Sequence, residues 1–400
     1  ELEKQMIREN NMIYKEEPIE LKEKFTDVSI PKFGINNLSN QCYMNSILQC
    51  LFSTKGFIYF LNQIESKELR DRYNSPNKKT FEGGKEMVME LKKILHTGEH
   101  TGNWFLEAIS GMLPGEHIRE HRLNLVHDKY SEKQQHFEWQ QHDAREFLSR
   151  LLYFLEIYLI NCERIITINF EKLEEGNVLD KIYLANHDSQ RKLIYDYKVA
   201  GCNDIFKLFY FQEYQRTFRT RLNTESIVYG EKQILELNIQ DGHITKPLEK
   251  KFKTDIKTML NNYFKITTFY EDVELYPDQN ITQEKKISIL PNYFIIMIKR
   301  SIGFWKLKRM EQHKMRNLVI YPEDRDMKDY LHESSSEDST KYKLYSVCIH
   351  IGESTNSGHY YSYCKRGDEW YEFDDSLVTL IQGKKYLNDQ NAYILFYERM

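Results

Sequence analysis

The chain predicts an α+β fold. Two observations carry that expectation: apolar residues recur with a helical period in the first half, and runs rich in β-branched and aromatic residues crowd the second. A third is bulk, because 400 residues with 40% hydrophobic and 29% charged content, including 28 Tyr and 22 Phe, can bury a sizeable core.

Residues 1–32 are charged, lack a regular apolar pattern and close on Pro31, which reads as a linker or loosely docked arm. From Cys42 the run YMNSILQCLFST places apolar residues at 43, 44, 47, 48, 51 and 52, a helical repeat closed by Lys55 and Gly56. Cys42 therefore falls in the first turn of a helix. A second helix opens within QHDAREFLSRLLYFLEIYL, where Phe147, Leu148, Leu151, Leu152, Leu155 and Leu159 form one apolar face, and Asp143 with Glu146 has capping-box spacing. Beyond Cys202, the runs IVYGEKQILELNI, ISILPNYFIIMIKRS, KYKLYSVCIHIG, HYYSYCKRGDEWYEF and NAYILFYER have strand character. The acidic serine stretch ESSSEDS, residues 333–339, reads as a solvated loop, with phosphorylation as the alternative.

Lys and Arg total 56 against 60 Asp and Glu, a net charge of −4, which argues against nucleic acid as a partner. No apolar run reaches the ~20 residues that span a bilayer, so no membrane partner is expected. Six cysteines, at 42, 50, 162, 202, 348 and 364, show no CxxC spacing. That pattern fits free thiols in a reducing compartment, hence an intracellular protein of the cytoplasm, the nucleus or both. Neither a metal nor another cofactor is expected.

A helix N-terminus carries partial positive charge and unpaired amide donors, which favour a thiolate. Cys42 has that position and Cys50, two turns later, does not, although a buried structural thiol fits either. A cysteine nucleophile needs an imidazole within reach and a third group to hold the imidazole. The segment SGHYYSYCKRGDEWYEFDDS supplies both: a two-residue hairpin loop at Arg366 and Gly367 pairs 365 with 368 and, further along, His359 with Asp374. In that register Asp375 faces away, and a slip of one residue exchanges the two aspartates.

FGINNLSNQCYMNSILQCLF, QHDAREFLSRLL, LPNYFIIMIKR, YKLYSVCIHIGESTNSGHYYSYCKRGDEWYEFDDSLV and AYILFYER, in this order, resemble the ubiquitin-specific protease family of deubiquitinating cysteine peptidases. The resemblance runs from about Phe33 to Tyr397 and implies a papain-like fold: a helical thumb over about 33–200, fingers over about 205–290, and a β palm mainly over 291–398. It implies Cys42 as nucleophile, His359 as general base, Asp374 as the residue orienting the imidazole, and Asn37 as an oxyanion donor beside the Cys42 amide. Gln141, Asp143 and Glu146 match the block that receives the arginine-bearing ubiquitin tail, Tyr360 after the histidine is expected to wall the same channel, with core packing as the alternative, and His350 and Asp375 stand as secondary positions. The implied partners are ubiquitin and ubiquitinated proteins.

Three features depart from the family. No cysteine occurs between Cys202 and Cys348, so the stretch around FRTRLNTES, with Phe218 and Arg221, cannot make a thiolate zinc site, and the fingers are expected to be metal-free. Ser39 stands where Gly is usual and Gln41 where Thr is common. These keep a catalytically weak or inactive ubiquitin-binding scaffold as the alternative function. A rival motif, HIREH at 117–121, has the H-x-x-E-H spacing of a zinc hydrolase but lacks an identifiable third ligand.

Overall fold

The computed structural model describes residues 28–63 (Ser39 apart), 78–100, 143–162, 208–239 (221–222 apart), 253–306 (274–275 apart), 309–354 (334 and 336 apart) and 357–400 (388 apart). Helices α1 (Cys42–Leu51), α2 (Lys55–Gln63), α3 (Lys78–Thr97) and α4 (Ala144–Cys162) come first. Strands β1 (Phe211–Arg219), β2 (Thr224–Lys232), β3 (Ile234–Asn238) and β4 (Lys253–Asp255) lead into helix α5 (Ile256–Phe264). Then follow β5 (Thr267–Val273), β6 (Tyr276–Ile289), β7 (Tyr293–Lys299), β8 (Ser301–Lys306), β9 (Arg309–Lys314), β10 (Leu318–Ile320) and β11 (Asp324–Asp326). The chain closes with β12 (Lys341–Ser354), β13 (Ser357–Arg366), β14 (Glu369–Asp374), β15 (Leu377–Leu380) and β16 (Ala392–Arg399).

An eight-stranded sheet, ordered β15-β14-β13-β12-β16-β7-β3 with β11 beside β12, forms the centre. Both of its faces are covered, which is why β7 and β16 read as near-continuous apolar runs rather than alternating ones. One face, with Tyr360, Cys348, Cys364, Phe373 and Ile394, packs on α1 to α4. The other, with Val347, Ile349, Tyr361, Tyr363 and Leu395, packs under α5. A separate four-stranded sheet, β2-β1-β6-β5, occupies much of the stretch 205–290. Among the described residues, no helix is long and apolar enough to cross a membrane.

Local chemistry moves three boundaries. Lys55 and Gly56 open α2 rather than close α1. The break comes at Ser53 and Thr54, whose hydroxyls donate back to the Gln49 and Cys50 carbonyls (2.8 and 3.3 Å), the competition with helix hydrogen bonding that short polar side chains offer. The end of the expected arm is held down: Val28 and Ile30 pack against the core, and the Pro31 carbonyl accepts from Arg366 Nε at 2.6 Å. Within 333–339 the chain is docked, since Glu337 takes the Leu290 amide at 2.8 Å and pairs with Arg399 at 2.6 Å.

Candidate active site

The first turn of α1 is assembled by short-range polar contacts. Gln41, fully buried, offers its carbonyl to the Met44 and Asn45 amides at 2.9 and 3.0 Å, and its own amide donates to Asn37 Oδ1 at 3.1 Å. Asn40 takes the left-handed conformation of this loop (φ 48°), which asparagine tolerates better than most residues. Cys42 emerges from this loop 4% exposed, at the amino end of the helix. Cys50 is fully buried and burial pushes its thiol well up, so the two cysteines occupy different environments.

The hairpin carrying His359 is two residues out from the expected register. Arg366 pairs with Glu369, and the loop is Gly367 and Asp368, with Gly367 at φ 66° in the first central position of a type II′ pattern. A shift of two keeps every side chain on its face. His359 thus lies diagonal to Asp374 instead of opposite, and the ring still meets the carboxylate, Nε2 to Oδ1, at 2.5 Å. A hydrogen bond with the Cys42 side chain, more than any other influence, raises the imidazole to about 9, and Asp374 adds to it against the opposing effect of burial. At neutral pH the ring between Cys42 and Asp374 therefore carries its proton.

Asp375 does not face away. It occupies the tight turn between β14 and β15 at φ 52°, which folds its carboxylate over the nucleophile loop. There Oδ2 accepts from Asn37 Nδ2 and Oδ1 from Asn45 Nδ2, each at 2.8 Å, while its carbonyl accepts from the Ile35 amide at 2.9 Å. Asn45 was missed in the sequence, although a polar residue three positions after Cys42, in a helix that is apolar apart from Ser46 and Gln49, was the available signal. Ligand atoms of His359, Asp374 and Asp375 lie within 4.8 Å of one another, close enough for a metal, but His359 and Asp374 bond each other and the Asp375 carboxylate holds Asn37 and Asn45.

The ubiquitin carboxyl-terminal hydrolase family model matches residues 33–397. The chain belongs to this family. It is 22% identical over 375 residues to ubiquitin carboxyl-terminal hydrolase Usp2 of Drosophila melanogaster, covering 92% of this chain and 34% of that protein. It is 26% identical over 372 residues to ubiquitin carboxyl-terminal hydrolase 17-like protein D of Mus musculus, covering 92% and 54%. The chain thus spans about a third to about half of these relatives' length. Among solved structures, a chain of the yeast SAGA DUBm superposes with a TM-score of 0.58 at 21% identity, covering 92% of this chain and 68% of that one. A chain of the SAGA Ubp8/Sgf11/Sus1/Sgf73 DUB module bound to ubiquitin aldehyde gives 0.57 at 20% identity, covering 95% and 74%. Those likenesses show the fold.

In this hydrolase-family chain, the remaining expected site residues gather at the start of α4. Asp143 caps the helix, its Oδ1 accepting from the Arg145 and Glu146 amides at 2.8 and 3.3 Å. Its Oδ2 accepts from Tyr393 at 2.6 Å, and burial pushes the carboxyl up. Glu146 pairs with Arg150 one turn on. Tyr360, expected to wall a channel, is 1% exposed and stacks on His350 at 4.2 Å, because its position on β13 points it at the helices. Burial, ahead of the charge on Lys314, lowers His350 to about 3, which makes it a neutral structural imidazole. Lys314, lowered by burial to about 8, donates to the His350 and Gly352 carbonyls at 2.8 and 3.1 Å. Gln141 and the HIREH motif lie outside the described residues.

Proposed function

We propose that the protein is a thiol-dependent deubiquitinase that hydrolyses the isopeptide or peptide bond after the C-terminal glycine of ubiquitin, inside a reducing compartment of the cell. The observation that carries this reading is His359 held between the Cys42 side chain and the Asp374 carboxylate. Cys42 attacks the glycine carbonyl, and the charge developing on oxygen is met at the amino end of α1 by the Cys42 amide and the Asn37 side-chain amide. His359 gives its proton to the departing amine, leaving a thioester. As base, it then draws a proton from water, whose oxygen attacks the thioester; the carbonyl–sulfur bond breaks, releasing the ubiquitin C-terminus and returning Cys42 as a thiolate beside protonated His359.

On this reading Asp143 and Glu146 are the carboxylates that meet the arginine-bearing ubiquitin tail, since charge-assisted pairs with guanidinium groups are strong and selective. The four-stranded sheet β2-β1-β6-β5 serves as metal-free fingers, held by packing and by contacts such as Tyr263 to Glu213 at 2.5 Å.

A second reading, a ubiquitin-binding scaffold with weak or no catalysis, draws on Asn37, whose amide nitrogen already donates to Asp375. Ubiquitin bearing an electrophile at its C-terminus separates the two. The deubiquitinase reading expects a covalent adduct that disappears in Cys42→Ala and persists in Cys50→Ala. Binding without an adduct leaves the scaffold.

A further inference from the structure

At their catalytic ends β12, β13, β14 and β15 lie side by side, and their register fixes which side chains share a face. Ile351 is the cross-strand partner of His359, and Leu377 is the partner of Asp374. Cross-strand partners project from the same face with Cβ atoms about 4.5 to 5.5 Å apart. The Ile351–His359 and Asp374–Leu377 pairs are joined across the His359–Asp374 diagonal, so the four residues form a slanted row on one face of four strands, with an apolar residue at each end.

Farther from the catalytic end, the same face is closed: Val347, Ile349 and Tyr363 are fully buried. At the row itself Ile351 is 46% and Leu377 62% exposed. Leu38, beside the Asn37 that binds Asp375, is 58% exposed. A single exposed leucine needs no explanation, since much of any protein surface is apolar. Two that bracket a proton-donating imidazole are differently placed.

The occupant follows from the chemistry of the row, and this step rests on the deubiquitinase reading. The leaving amine must come within hydrogen-bond reach of His359, so the protein segment that carries it crosses the row. An extended lysine side chain spans little more than one strand spacing. Residues flanking that lysine in the substrate are thereby brought to the ends of the row. Asp374 lies beside the Leu377 end and disfavours acidic neighbours there, while Ile351 and Leu377 offer uncovered apolar surface. We infer that Ile351 and Leu377 are specificity-determining residues that select substrate proteins whose modified lysine is flanked by apolar side chains.

The test uses ubiquitin joined through an isopeptide bond to two peptides identical except at the residues flanking the lysine, Leu and Val in one and Ser and Asn in the other. From the value of covering apolar surface, the apolar peptide should be cleaved with a kcat/KM roughly tenfold higher. In Ile351→Ser/Leu377→Ser that ratio should fall to about one, and Ile351→Val/Leu377→Met should keep most of it. Equal cleavage of both peptides by the unaltered protein, or a ratio unchanged in the serine variant, overturns the inference and leaves the deubiquitinase reading standing. Cleavage of neither peptide removes both. Self-association of the free protein that disappears in the serine variant would assign the surface to a second copy and would also overturn it.

Discussion

The two ends of the candidate site treat charge in opposite ways. Around His359 the ionisable groups are partly exposed and face complementary partners, and the imidazole is raised to about 9. Around the start of α4 and the end of β12, burial, partial at Asp143 and Lys314 and complete at His350, is the largest influence, and each shift runs against charge: Asp143 upward, His350 down to about 3, Lys314 down to about 8. Desolvation wins where water is excluded, and pairing wins where opposite charges sit within contact. The first end is arranged to hold an ion pair and move a proton. The second holds its shape by excluding charge.

The largest break in this comparison comes from His359→Ala, which should lower kcat by on the order of 10⁴-fold with little change in ubiquitin affinity by calorimetry. The pH profile sharpens it. With His359 raised, the proton needed by the leaving amine is present below pH about 9 and lost above it, so turnover should fall there. Alkylation of Cys42 by iodoacetamide, which needs no acid, should not fall. The sign for stability is the same: the raised His359 stabilises the fold fully below its unfolded value, and that contribution disappears as pH rises through about 9.

Asn37→Ala should come next, with a loss on the order of 3 kcal/mol in transition-state stabilisation, together with a modest drop in melting temperature because Asn37 also bonds the Gln41 amide and Asp375. Asp375→Asn should cost roughly tenfold in kcat, because a neutral amide binds Asn37 and Asn45 less firmly than a carboxylate. If the two residues act as a unit, the double variant should be no slower than Asn37→Ala alone. At the buried end, Tyr393→Phe removes one hydrogen bond from Asp143 and should raise KM about fivefold with kcat preserved, consistent with ~1 kcal/mol for such a bond. The smallest effect belongs to Glu146→Gln: losing its pair with Arg150 should cost only about 0.3 kcal/mol in thermal unfolding. A KM rise well beyond that would mark Glu146 as a contact for the ubiquitin tail.

Much of the site was legible because its chemistry is local in sequence. The apolar period after Cys42 placed the thiol at a helix start, and the aromatic alternation after His359 gave a hairpin of the right parity. What escaped detection depended on one buried charge. Arg366 looks like a turn residue, but it is 1% exposed and ends a strand, which moves the loop to Gly367 and Asp368. The turn at Asp375 escaped for a related reason. Nothing in DDSLV states that the chain reverses there and folds the second carboxylate over Asn37 and Asn45.

Arg366 also decides where the working unit begins. Its guanidinium donates to the Pro31 carbonyl, to Ser53 Oγ and to Gln49 Oε1 on α1, and lies 4.5 Å from the centre of the Phe373 ring. The same strand carries His359. The family match starts at residue 33, yet cutting the chain there would strand a guanidinium in the interior with one acceptor missing. Residues 28–32 are therefore part of the folded body, and a protease that nicked them would loosen the seat of α1 without touching Cys42, His359 or Asp374.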